Sequence, residues 1–379
     1  MNGGEAASMF MWLGEPLETP VARALERIRR FEDVAHVAVM PDVHLAKDVC
    51  VGTVIATNRL LYPAAVGGDI GCGMLAMGFD IEADTLKDPK IAGLILRDLC
   101  ERIPGVRRHR RHTISMPHDF GERSLSYPSL AAIARDEGTL QLGTLGGGNH
   151  FVELQADEEN RLWLMIHSGS RAMGQAIRGF HLARGFPTDQ KMIALDAATD
   201  FGKAYLNDVE WARAYASANR DAMGQIVTEI IAERLRGVLD ETATIRCDHN
   251  HVALEAHFGK SVMVHRKGAM PADIGKPGVV PGSMGTLSYH VTGKGCTKAL
   301  RSSAHGAGRR FSRAQARQTY RANDLKYQMG TVWFDPRLTD QLRDESPRAY
   351  KDVRMVLKAQ NELIDRVRTL KPVLVYKGV

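Results

Sequence analysis

A carboxylate and a thiol three residues apart, Asp69 and Cys72, stand in the run Gly67-Gly68-Asp69-Ile70-Gly71-Cys72-Gly73. Glycine permits the positive φ angles and close backbone approach that a tight turn requires. Taken alone, the pair could equally be a turn-forming aspartate and a buried structural cysteine. Three histidines shift that balance. His150 follows Gly146-Gly147-Gly148-Asn149 and precedes Phe151-Val152-Glu153; His167 begins His167-Ser168-Gly169-Ser170-Arg171; His249 lies in Asp248-His249-Asn250-His251. A single histidine is more often a satisfied polar residue than a ligand, but Asp/Cys/His/His/His suffices for two metal ions if the thiolate bridges. The soft donors favour zinc, while manganese would have to win by supply, geometry and the carboxylate, so residue chemistry alone leaves the metal open.

Two further loops, Pro281-Gly282-Ser283-Met284-Gly285-Thr286-Leu287-Ser288 and Ala304-His305-Gly306-Ala307-Gly308-Arg309, can present backbone N–H groups to phosphate. Neither is a Walker A or a dinucleotide fingerprint. Arg313, Arg317 and Arg321 recur every fourth residue, which predicts one face of a helix, as a solvated basic stripe or a phosphate contact. The cluster Arg107-Arg108-His109-Arg110-Arg111-His112 allows the same two readings.

The elements that must position these groups are legible from periodicity. Thr19-Pro20, with Thr as N-cap, predicts a helix over 20–31. Strands are predicted at His36–Met40 and Cys50–Ile55, separated by a polar loop holding Pro41, Asp42, His44 and Lys47. Long helices are predicted over Glu210–Leu239 and Lys351–Leu370, the second with Val353, Val356, Leu363, Ile364 and Val367 on its apolar side. Further strands are expected at Leu162–Ile166, Thr244–Cys247, Ser261–His265, Leu287–Val291 and Val373–Tyr376. Their irregular order argues for an α+β or mixed α/β fold rather than a repeating βα unit.

The 379 residues carry 50 Lys+Arg against 44 Asp+Glu, a net charge of +6, with 44% hydrophobic and 25% charged residues. That composition excludes a disordered, collagenous or disulfide-scaffold chain. The five cysteines (Cys50, Cys72, Cys100, Cys247, Cys296) are scattered and odd in number, which fits a reducing compartment. The N-terminus lacks a secretory pattern, and the most apolar window, 60–79, is broken by Pro63, Asp69 and glycines. A cytoplasmic protein with one compact catalytic domain over 1–379 is expected.

The order of motifs resembles the RtcB family of GTP- and manganese-dependent RNA-splicing ligases. The resemblance is carried by Pro41-Asp42-Val43-His44, by Pro63-Ala64-Ala65-Val66-Gly67-Gly68-Asp69-Ile70-Gly71-Cys72-Gly73-Met74, by Gly146 to His150, and by His167-Ser168-Gly169-Ser170-Arg171. Pro281-Gly282-Ser283-Met284, His305-Gly306-Ala307-Gly308-Arg309 and the terminal Lys377-Gly378 complete it, from about Val39 to the C-terminus. It implies a single-domain α+β ligase, expected as a monomer. Such a ligase joins RNA 3′-phosphate or 2′,3′-cyclic phosphate ends to 5′-hydroxyl ends through a histidine-GMP intermediate. His305 would be the guanylylated nucleophile. Asp69, Cys72 and His150 would bind one Mn²⁺, and Cys72, His167 and His249 the second. The guanine nucleotide would be bound by Asn149, His150, Phe151, Val152, Glu153, His249, Asn250, Pro281, Gly282, Ser283, Met284, Ser288, His305, Gly306, Ala307, Gly308 and Lys377, with Glu153 reading the guanine edge.

The chain departs from the family pattern at Gly68, where members commonly have Val, at Ala172, and at Ala46 and Asp48 in the Asp-Val-His loop. None of these is a proposed ligand or the nucleophile. Two other readings compete: a dinuclear phosphoesterase that only opens cyclic phosphates, and a catalytically silent RNA binder. The first has no use for His305 or Glu153, and the second leaves a buried Asp/Cys cluster without the metal that would offset its cost.

Overall fold

The fold follows from strands that are apolar on both faces. In a computed structural model, which describes residues 6–378, the strand Val34–His44 turns Val37 and Val39 one way and Ala38 and Met40 the other, and all four are fully buried. Side chains alternate across a strand, so such a strand must be covered on both sides. It belongs to a five-stranded sheet ordered Ser8–Met11, Val34–His44, Val51–Thr57, Lys260–Lys267, Asn250–His257; only the first pair is parallel. A seven-stranded antiparallel sheet runs Leu239–Asp248, Gly73–Glu82, Arg161–Ser168, Phe151–Ala156, Ile364–Tyr376, Ser288–Gly293, Pro277–Val280.

The two sheets share a core in which Ala38, Met40, Val54 and Ala56 of the first meet Met74, Ala76, Trp163 and Met165 of the second. The other face of the larger sheet, with Leu75, Phe79, Leu164 and Ile166, is covered by the helices Pro89–Arg102 and Asp200–Leu235. The other face of the smaller sheet, with Val37, Val39 and Ile55, is covered by Thr19–Ile28 through Val21, Leu25 and Ile28. The architecture is α+β: two facing sheets with helices outside.

Several predicted elements are corrected. The first helix spans Thr19–Ile28 and its N-cap is Glu18 without a side-chain cap bond, so Thr19 is already helical. The strand after it runs on to His44, so Pro41 and Asp42 lie in a strand rather than a loop; Pro41 is tolerated where register with the partner strand shifts, between Val39 and His44. The long helix begins at Asp200, where Thr199 Oγ1 accepts from Gly202 N–H, and stops at Leu235 before left-handed Arg236. Lys351–Leu370 is not one helix. Only Val353–Ala359 is helical, and Ile364–Tyr376 is a strand in which Val367 is exposed. Lateral pairing with both neighbouring strands outweighs the helical spacing of its apolar residues.

Arg313, Arg317 and Arg321 do not share a helix either. Arg313–Thr319 is a short helix that ends at extended Tyr320, and Arg321 is the N-cap of the next, Ala322–Met329.

Candidate active site

The larger sheet delivers the candidate metal-ligating side chains from the ends of its strands. The Asp69–Cys72 loop feeds Gly73–Glu82, His150 immediately precedes Phe151–Ala156, and His167 is near the end of Arg161–Ser168. Gly73 pairs with both Asp248 and Ser168, which sets the loops of adjacent strands side by side. His249 follows Asp248, and its N–H donates to the Cys72 carbonyl at 2.8 Å. Cys72 Sγ then lies 3.2 Å from His167 Nε2 and 3.5 Å from His150 Nε2. His150 Nε2 is 2.9 Å from Asp69 Oδ2, and His167 Nε2 is 3.4 Å from His249 Nε2. The donors form two triads, Asp69/Cys72/His150 and Cys72/His167/His249, that share Cys72.

These residues fit a pair of divalent cations. His150 Nδ1 faces the Leu145 carbonyl at 3.0 Å and His167 Nδ1 the Asn149 carbonyl at 3.2 Å, and a carbonyl can only accept, so both Nδ1 atoms donate. In a neutral ring Nε2 then carries the lone pair, which for His167 faces Cys72 and His249 and for His150 faces Asp69 and Cys72. Burial, followed by the nearby imidazoles, holds His167 and His249 well below the usual histidine range, so both are ready to ligate at neutral pH. Burial and then the Asp69 charge push the Cys72 thiol well above its ordinary value. Burial is the largest influence on Asp69 and opposes its charge, but His150, Cys72 and Arg171 together hold its carboxyl below the ordinary value. Donor lone pairs converging in a buried space are what a cation relieves.

His305 sits beside this cluster, its ring 4.6 Å from that of His249. Its Nδ1 is 2.6 Å from Oδ2 of Asp42, which is completely buried, and the His305 N–H donates to the same oxygen at 3.2 Å. A carboxylate at this place orients the ring with Nδ1 as the donor and leaves Nε2 with the free lone pair. Gly308 makes this close approach possible: it has φ 73°, and a Cβ there would run into the Asp42 carbonyl.

A cavity of about 380 Å³ opens over the cluster. It is lined by the candidate ligands Asp69, Cys72, His167 and His249, by Asn149, Phe151, Glu153 and Asn250, by Pro281 to Met284, Ser288, His305 to Gly308, and by Lys377. Two of the expected binding residues do not line it. His150 points into the ligand cluster, and the Val152 side chain joins the core with Leu154 and Ile166, because it alternates with Phe151 and Glu153 along their strand.

Glu153 is 3% exposed, and burial raises its carboxyl to about 8, against the opposing effects of the Gln155 amide and the Lys377 charge. Lys377 is ion-paired with buried Glu345, which also accepts from Tyr350 Oη at 2.7 Å and from Arg313 at 2.6 Å. Burial works against the Glu345 charge, but Lys377 and Arg313 hold it at about 2. Arg313 and Arg317 both reach Asp344, so part of the predicted basic stripe is internal ion pairing.

Sequence reasoning missed the groups that hold these loops. On the long helix, Arg220 donates to the carbonyls of Gly71 and Ser168 at 2.9 Å each. Asn219 Oδ1 accepts from the N–H groups of Gly143 and Thr144 at 2.7 and 3.1 Å, while Nδ2 donates to Ser168 Oγ at 3.1 Å. The available signal was a polar pair on the face that carries buried Tyr215, Ala216 and Met223. Glu345 and the orienting role of Asp42 gave no signal by spacing. The cluster Arg107–His112 lies in exposed and half-exposed chain, with Arg108 donating to the carbonyls of Leu142 and Gly143 at 3.0 and 2.8 Å.

Residues 25–378 match the family described as tRNA-splicing ligase RtcB. The RNA-splicing ligase RtcB of Escherichia coli K12 is 35% identical over 408 aligned residues, covering 99% of this chain and 98% of that protein. The tRNA-splicing ligase RtcB of Methanococcus maripaludis is 29% identical, with 92% and 91% covered. The RNA-splicing ligase RtcB of Mycobacterium tuberculosis is 29% identical, with 89% and 96% covered. Among the described residues, no helix is long and apolar enough to cross a membrane.

Proposed function

The chain belongs to the RtcB family, and from that premise we propose that it is a GTP-dependent RNA ligase, acting as a single-domain cytoplasmic monomer in RNA repair or tRNA splicing. It joins RNA 3′-phosphate or 2′,3′-cyclic phosphate ends to 5′-hydroxyl ends. The observation that carries this reading is the placement of His305: an imidazole aligned by buried Asp42 and set against the Cys72/His167/His249 triad, in the cavity that Glu153 also lines. A phosphoesterase needs neither His305 nor Glu153.

His305 Nε2 attacks the α-phosphorus of GTP; the bond to the bridging oxygen breaks and pyrophosphate leaves, giving a phosphoramidate. Asp42 offsets the positive charge that develops on the ring as Nε2 becomes bonded to phosphorus. An oxygen of the RNA 3′-phosphate, exposed after any cyclic phosphate is opened by water, then attacks the same phosphorus. The P–N electron pair returns to His305, leaving RNA(3′)pp(5′)G. The 5′-hydroxyl of the second strand attacks the RNA phosphorus, loses its proton and expels GMP.

Asp69, Cys72 and His150 would hold one Mn²⁺ and Cys72, His167 and His249 a second, which would supply Lewis-acid stabilisation of the negative charge on the transferring phosphates. Ionised Glu153 accepts from guanine N1–H and N2–H₂, which adenine cannot satisfy. The glycine-rich Pro281–Met284 loop and the His305–Gly308 loop offer backbone N–H groups to the phosphates.

The direct assay incubates the protein with Mn²⁺, GTP and two RNA strands ending in a 2′,3′-cyclic phosphate and a 5′-hydroxyl. GTP-dependent joining supports the reading; opening of the cyclic phosphate without joining returns the protein to the phosphoesterase class.

A further inference from the structure

Glu153 has one polar side-chain partner recorded among the described residues, and it lies outside the cavity. Gln155, two residues further along the same strand and on the same face, is completely buried, and its Nε2 donates to Glu153 Oε1 at 2.5 Å. On the adjacent strand Met165 pairs with Glu153 and Trp163 with Gln155, and the Met165 sulfur is 3.8 Å from the Gln155 amide nitrogen. Among the described residues, Gln155 Oε1 has no hydrogen-bond partner. Completely buried amides usually satisfy both ends, so an amide that spends its hydrogen bonding on one carboxyl group is placed for that group.

We propose that Gln155 is a positioning residue for purine selection, whose amide fixes the Glu153 carboxyl in the orientation that lets both of its oxygens meet the guanine edge. The inference rests on the reading that Glu153 recognises the base. Recognising N1–H and N2–H₂ together requires one carboxylate oxygen opposite each donor, so free rotation of the carboxyl costs the second hydrogen bond before the first. Gln155 restrains that rotation from behind and leaves the cavity side free. A half-turn of its amide exchanges donor for acceptor, so the same side chain serves Glu153 as a neutral acid, by accepting the O–H, and as a carboxylate, by donating N–H.

The proton state gives a second signature. Burial raises Glu153 to about 8, and the groups that counter this are the Gln155 donor and the charge of Lys377, itself paired with Glu345. Loss of the Gln155 donor leaves the ionised form less favoured, so guanine binding shifts to higher pH.

The test measures equilibrium binding of GTP, ITP and ATP to the Mn²⁺-loaded protein between pH 6 and 9, for wild type, Gln155→Met and Gln155→Leu. Two apolar replacements guard against a packing failure in either one, and thermal melting confirms that each is folded. The expected result is GTP binding about tenfold weaker at pH 7, the loss of one charge-assisted hydrogen bond. ITP lacks the N2 amino group and should weaken less, so the preference for GTP over ITP narrows by the ratio of the two losses. The GTP affinity profile should move about one pH unit higher and recover in alkaline solution. Equal weakening of all three nucleotides at every pH, or an unchanged GTP:ITP ratio and pH midpoint, overturns the proposal. If Glu153→Gln leaves GTP binding and the preference over ATP intact, the base-reading role of Glu153 fails and this inference falls with it.

Discussion

Asp42 gives His305 a direction. With Nδ1 committed to a buried carboxylate at 2.6 Å, only Nε2 is left to react. Asp42→Asn can donate to Nδ1 and so place the ring proton on Nε2, which removes the nucleophilic lone pair while nearly preserving shape. Transfer of label from α-phosphate-labelled GTP should fall by at least about 100-fold, with Mn²⁺ binding retained; labelling within twofold of wild type would remove Asp42 from the mechanism. Glu153 makes a prediction of opposite sign for stability. Its folded-state value of about 8 lies above the ordinary carboxylate range, so the folded protein loses stability relative to a neutral side chain as pH rises from about 4.5 to 8. The nucleotide-free Glu153→Gln variant should be more stable than wild type by about 3 kcal/mol at pH 7 and no different below pH 4. Urea titrations at the two pH values check both halves of that statement.

At the scale of elements, the helix Asp200–Leu235 is both cover and clamp, since Asn219 and Arg220 tie the loops at Gly71, Gly143–Thr144 and Ser168 to one rigid rod. Arg220→Met should cost about 2 kcal/mol or more by leaving the Gly71 and Ser168 carbonyls unpaired. It should also weaken metal binding by roughly 10- to 100-fold, as loss of outer-sphere support does. Calorimetric titration with Mn²⁺ reads the second effect; unchanged affinity would make the clamp purely structural. Where sequence and structure part, the cause lies in the same long-range contacts. Val37 to Met40 announce a strand because a short apolar run is a local signal, and His150, His167 and His249 stand out because each follows glycines or an apolar strand. Ile364–Tyr376 read as helix because its pairing with Ser288–Gly293 and Phe151–Ala156 joins segments far apart in sequence. Asp42 reaches His305 across 263 residues, and Lys377 reaches Glu345 across 32, distances at which spacing carries no information.

For the whole molecule, the two facing sheets bring strand ends from separate parts of the chain to one cavity, so the candidate metal ligands, His305 and Glu153 depend on the same fold. The metal centre then contributes to stability by linkage. Raising Mn²⁺ from trace to millimolar should raise the melting temperature of wild type by several degrees and leave Cys72→Ala, which lacks the shared ligand, nearly unmoved; a shift in Cys72→Ala equal to that of wild type would contradict a shared-thiolate centre. Burial and the Asp69 charge keep the Cys72 thiol protonated in the metal-free protein, so loading must release a proton and should tighten as pH rises from 6 to 8.

The most direct measurement incubates the full chain with Mn²⁺ and α-phosphate-labelled GTP beside His305→Ala, followed by denaturing electrophoresis. An acid-labile, alkali-stable label on wild type and none on His305→Ala is the predicted result. No label on wild type with Mn²⁺ demonstrably bound, or equal label on both proteins, would contradict the account of His305 as the guanylylated nucleophile.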